Sequence, residues 1–128
     1  MLRRPLLYLQ VTAGSATAQK IGTSQHVTIP CQALNHPRTL MGDFTAVEGC
    51  FKEVVSRLGL NEWYVRAPIA LLHLIPKVEG GYTNVELRAF REAMVGAGAA
   101  QVYLLADHPP LTATQQSEFT SFFSKSLL

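Results

Sequence analysis

Residues 67–75 form the longest strongly apolar stretch of the chain, and this stretch constrains the fold more than any other segment. A helix that crosses a membrane needs about 20 apolar residues, and this run is far shorter and contains Pro68 and His73. Over residues 68–75 the polar alternation of a half-exposed strand is missing. The pattern is that of a strand buried on both faces, as in a parallel sheet. Parallel strands need crossover connections, usually helices, so the flanking sequence should supply them.

It supplies one on each side. Upstream, Phe44, Val47, Phe51, Val54, Val55 and Leu58 recur at spacings of three, four, three, one and three, which is one face of a helix. Asp43 precedes them as an N-cap whose carboxylate can accept the free amides of the first turn at the positive end of the helix dipole, and Gly59 ends the run. Downstream, residues 76–81 make a flexible connection. Thr83 and Glu86 then have the Thr-x-x-Glu spacing of a capping box. That helix continues through Leu87, Phe90 and Met94 and stops near Gly96 or Gly98.

The remaining segments complete the order. Residues 6–11, 16–21 and 25–29 read as three short strands of an antiparallel meander, with turn material at Thr12-Ala-Gly-Ser and Gly22-Thr-Ser. Asn35-His-Pro-Arg reads as a loop, because a residue before proline is pushed from helical angles. Residues 101–105 form another apolar run, and after Pro109-Pro110 a last helix is expected over residues 112–123. The result is an α/β chain of order β-β-β-α-β-α-β-α, with a mixed sheet flanked by helices, which is the order of the ribonuclease-H-like fold.

At 128 residues the chain suits one domain spanning residues 1–128. Its 48% hydrophobic and 16% charged content, with a mean hydropathy of +0.14, argues against disorder. A net charge of +2 and a pI of 8.7, without Lys/Arg clusters, argue against a nucleic-acid partner. The start of the chain is basic but lacks a proper apolar core followed by a cleavage site, and membrane association is not evident, so a cytoplasmic location is expected. Cys31 and Cys50 have no C-x-x-C spacing and read as free, half-buried thiols of a reducing compartment.

Two segments in the same order carry a family resemblance. Pro76, Thr83, Glu86, Arg88, Ala89, Glu92 and Ala93, followed by Gly96, Ala97, Gly98, Ala99, Val102, Tyr103 and Leu104, resemble a strand-helix-strand unit of the actin-like MreB family. Asp43, Phe44 and Glu48 are similar to that family's Asp-Phe-x-x-x-Glu helix start. With the leading strand these matches cover most of the chain, but only the first part of an actin-like protein, whose second large domain has no counterpart here.

The resemblance implies ATP chemistry only if the working positions remain. The family's first strand runs into an Asp-x-Gly-Thr loop, in which the acid helps to place a metal and the glycine admits phosphate. Here Gln10 stands for the acid, Thr12 for the glycine and Ala13 for the threonine, with Gly14 and Ser15 read as a plain turn. Where the family has Glu-Glu-Pro after the last strand, this chain has Asp107 or His108 before Pro109. No catalytic, cofactor-binding or metal-binding residue is therefore expected.

Rival chemistry fares no better in the sequence. His26, His36, His73 and His108 lack the i, i+4 spacing of a helical metal site. Asp43, Glu48, Asp107 and Glu118 could be imagined as the carboxylates of a two-metal nuclease, but the first strand carries no leading acid. The expectation is a noncatalytic MreB-like protein that acts through a protein partner, such as MreB-type filaments. The alternatives are an independent protein-binding module or a weak nucleotide binder completed by a partner. Self-assembly is expected too, with residues 111–128, including Phe119, Phe122, Phe123, Leu127 and Leu128, as part of the contact.

Overall fold

The structure, a computed structural model, describes residues 4–37 and 39–126. The elements run β1 (Leu6–Thr12), β2 (Ser15–Lys20), β3 (His26–Pro30), a short 3₁₀ turn (Gln32–Leu34), α1 (Phe44–Arg57), β4 (Ile69–Leu74), α2 (Asn84–Gly96), β5 (Gln101–Ala106) and α3 (Ala113–Ser126). Among the described residues the architecture is α/β, a five-stranded mixed sheet with three α-helices. Strand order is β3-β2-β1-β4-β5. The meander pairs antiparallel, Leu9 opposite Ala18 and Ala18 opposite Val27, whereas β4 runs parallel to both β1 and β5. Every residue of β4 is buried, as expected of a central parallel strand, and Leu72 lies between Leu9 and Leu104.

Period-two alternation divides the sheet into two faces. Leu7, Leu9 and Val11 of β1, Ala16 and Ala18 of β2, and Ala70, Leu72 and Leu74 of β4 join Val47, Phe51, Val54 and Val55 of α1 and Phe90, Ala93 and Met94 of α2 in one apolar cluster. The opposite face carries Tyr8, Ile69, Leu71 and His73, all buried. The ring of Phe119 in α3 meets Tyr103 of β5 edge-on, with centroids 6.3 Å apart, so that residue folds onto the chain's own sheet. The side chains of Phe122, Phe123, Leu127 and Leu128 lie outside the described residues.

Both expected caps are present. The Asp43 carboxylate accepts the Ala46 N–H at 3.1 Å, and Gly59 follows the helix with a left-handed φ of 69°. At α2 the Thr83 hydroxyl accepts the Glu86 N–H at 3.1 Å, while the Glu86 carboxylate accepts the Thr83 N–H at 3.0 Å. The second oxygen of Glu86 accepts the Thr39 hydroxyl at 2.9 Å, tying the approach to α1 onto the start of α2. These bonds, the one from the Thr83 amide foremost, hold the Glu86 carboxyl below the usual range.

The cysteines correct the sequence reading. Cys31 and Cys50 are joined in a disulfide, with Cα atoms 6.2 Å apart. Cys31 leads from β3 into the 3₁₀ turn, and Cys50 lies on α1, which packs across β2, β3 and that turn. The free-thiol expectation considered only sequence spacing, and the pair is made by tertiary packing.

Candidate functional site

In open α/β sheets, ligands gather beyond the carboxyl ends of the parallel strands. In this chain those ends release Thr12 from β1, Leu74 from β4 and Ala106 from β5. The β1–β2 turn, the place of a phosphate loop in the family resemblance, is closed on itself. Gly14 takes a φ of 83°, which glycine accepts without strain. Its N–H donates to the Leu34 carbonyl at 3.2 Å, and its own carbonyl accepts the Cys31 N–H at 2.8 Å. The Thr12 and Ser15 hydroxyls lie 2.7 Å apart, and the Thr12 hydroxyl also reaches the Ser15 carbonyl at 3.2 Å. The Gly14 amide and the Thr12 and Ser15 hydroxyls are thus engaged within the turn or with the 3₁₀ segment. Gln10 stands opposite His73 in the β1–β4 register.

Below this turn the structure gathers residues that the sequence reading kept apart. Tyr8 and His73 lie on the same sheet face, and the Tyr8 hydroxyl is 2.7 Å from His73 Nδ1. His73 Nε2 is 2.8 Å from the His108 carbonyl, and the Leu111 N–H donates to the Tyr8 oxygen at 2.9 Å. A carbonyl can only accept, so Nε2 carries the imidazole proton, and Nδ1 accepts from the Tyr8 hydroxyl. One directional chain therefore runs from Leu111 through Tyr8 and His73 to His108. Burial pushes the His73 pKa down and the Tyr8 pKa up, so both side chains are held neutral.

The segment after β5 is bent to serve this network. Asp107 takes a φ of 57°, a conformation Asp tolerates better than most residues, and its side chain is exposed. His108 contributes its carbonyl to His73, while its ring Nδ1 donates to the Pro109 carbonyl at 2.6 Å. With both nitrogens engaged and no exposed surface, the His73 imidazole is a positioning group that fastens residues 108–111 over β1 and β4.

The other candidates are dispersed. Asp43 caps α1, and Glu48 pairs with Lys52 at 3.6 Å farther along the same helix. Asp107 lies beyond β5, and Glu118 is exposed on α3. The four do not form a shared carboxylate site. His26 is exposed and bonds the Ser24 carbonyl at 3.1 Å, and His36 is exposed in the segment before α1. Among the described residues no group of three His, Cys, Asp or Glu side chains is placed to hold a metal ion, and no helix is long and apolar enough to cross a membrane.

The Tyr8–His73 pair was the feature sequence reasoning missed. Its signal was present, since strand alternation puts both residues on the face away from α1 and α2 once β1 and β4 are known to be neighbours. The chain matches no family model. It matches no curated protein either.

Proposed function

We propose that the chain is a noncatalytic module of the ribonuclease-H-like, actin-like kind that its sequence resembles in the MreB family, and that it acts through protein contacts. The strand order β3-β2-β1-β4-β5, with β2 alone running against the others, supports the fold assignment. The observation that carries the functional reading is the closed β1–β2 turn. A phosphate loop offers free backbone amides to its anion, whereas the Gly14 amide is bonded to Leu34 and Gln10 replaces the metal-placing acid.

Calorimetry with Mg-ATP tests the noncatalytic part, and cosedimentation with MreB-type filaments tests the partner. No heat of binding, together with saturable cosedimentation, is expected. Micromolar nucleotide binding that disappears in Gly14→Val would overturn the reading in favour of a nucleotide binder. Absence from the filament pellet would leave a binding module of another assembly. The filament reading places the chain in a reducing cytoplasm, where cystines are rare, and the Cys31–Cys50 bond pulls against that placement. Acid-quenched alkylation of the protein taken from cells decides. An oxidised pair moves it to an oxidising compartment and away from cytoplasmic filaments.

A further inference from the structure

We propose that the outer edge of β5 takes an extended acidic segment of a partner protein by strand addition, with Arg91 meeting the partner's carboxylate. This deepens the functional reading above and rests on it, since it names where a noncatalytic module makes its contact and with what chemistry.

The backbone supplies the first argument. Among the described residues β5 is the last strand of the sheet and pairs only with β4, so roughly half of its N–H and C=O groups face away from the ladder. Sheet edges are ordinarily protected by lysines, prolines, bulges or short length. The opposite edge strand, β3, is five residues long, ends in Pro30 and exposes His26 and Thr28. β5 reads Gln-Val-Tyr-Leu-Leu-Ala, with no charge and no proline. Among the described residues it is the less protected of the two edges.

The side chains on either side supply the second. A groove of roughly 490 Å³ lies between this strand and α2, lined by Asn84, Leu87, Arg88, Arg91, Glu92 and Leu104. On the other face, Tyr103 stays 39% exposed beside Phe119. Successive residues of an added strand point to opposite faces, so alternate side chains would enter the groove and meet Tyr103.

Charge selects the occupant. Arg88 Nε bonds Glu92 Oε1 at 3.0 Å, which cancels both charges. Among the described residues Arg91 has no ion-pair partner, so the groove is left net positive and complements an acidic side chain. A second copy of the chain fits less well. Antiparallel pairing of two β5 edges about a two-fold axis would bring both α2 helices to one face, with Arg91 toward Arg91, and the chain itself carries a net +2.

The test uses the full chain, ¹⁵N-labelled, titrated with an acetylated and amidated hexapeptide of alternating Val and Glu, and separately with its Val and Lys counterpart. Saturable shifts and slowed amide exchange over residues 101–106, with at least tenfold weaker binding of the Lys peptide, are expected. Arg91→Glu, a change at an exposed helix position, should reverse that preference while leaving the spectrum of the fold intact. Shifts confined to other elements, no shifts at all, equal binding of the two peptides, or a dimer formed through β5 would each overturn the proposal. A silent β5 in a chain that still cosediments with filaments removes this edge site alone. Peptide binding at β5 together with micromolar Mg-ATP binding removes the noncatalytic reading and keeps the edge.

Discussion

The two faces of the sheet are built on different physics. Toward α1 and α2 the face is dry: Leu7, Leu9, Val11, Leu72 and Leu74 meet Phe51, Phe90 and Met94, each at 0% exposure. Its stability comes from removing apolar surface from water and from close packing, which depend on volume and shape. Toward α3 the face is mixed. Tyr8 and His73 are equally buried there but are held by a line of hydrogen bonds, and farther out Thr17 and Thr28 share a 3.1 Å bond in the open. Directional bonds contribute modestly when made and are costly when one partner is removed. The face toward α1 and α2 should therefore respond to lost volume, and the face toward α3 to lost bonds and to pH.

The largest effect should come from Phe51→Ala, which removes a fully buried ring between α1 and the sheet. A loss of about 3–5 kcal/mol in a denaturant melt is expected. A loss below about 1 kcal/mol would show that this face is loosely packed and end the contrast.

Tyr8→Phe keeps the ring and deletes only the hydroxyl, leaving the Leu111 N–H and His73 Nδ1 without partners in a buried site. It should cost about 1–3 kcal/mol, and amide exchange at Leu111 should quicken. The same region should carry a pH dependence. Unfolded His73 titrates near its ordinary value of 6.5, and its folded pKa lies lower. Below that ordinary value the unfolded chain holds a proton that the folded chain lacks. Stability is thus full above it and falls as the pH drops toward the folded value. Melts of the native chain against His73→Leu should differ in slope over this window. Identical slopes would mean that His73 is not held neutral.

The smallest effect belongs to neither face. Thr83→Ala removes the hydroxyl that accepts the Glu86 N–H at the start of α2 and should cost about 1 kcal/mol. A melt unchanged by this substitution would make the cap dispensable, with the helix held by its packed face alone.

Local signals made the dry face legible in the sequence. Helical periodicity found Val47, Phe51, Val54 and Val55, the caps at Asp43 and Thr83 fixed the helix starts, and the apolar run found β4 within a residue at each end. The helical spacing puts Phe44 on the buried face, yet it is 39% exposed because it opens the first turn, at the end of the helix. The bond network and the cystine were not legible because each depends on which elements become neighbours. Tyr8 and His73 are 65 residues apart, and no local pattern marks either as the other's partner. Cys31 and Cys50 meet only after α1 has packed against the end of β3. The edge groove likewise needed the strand order, since β5 reads as an ordinary buried strand until it is known to have one neighbour.

The Cys31–Cys50 bond also changes what a break in the backbone means. The covalent loop it closes contains the segment 35–42 that leads into α1, where Asn35, His36 and Gly42 are exposed and within reach of a protease. A single cut there would not divide the molecule. The piece carrying β1, β2 and β3 would stay fastened through sulfur to the piece carrying α1, β4 and β5. The nicked protein would migrate as one species until reductant released two fragments.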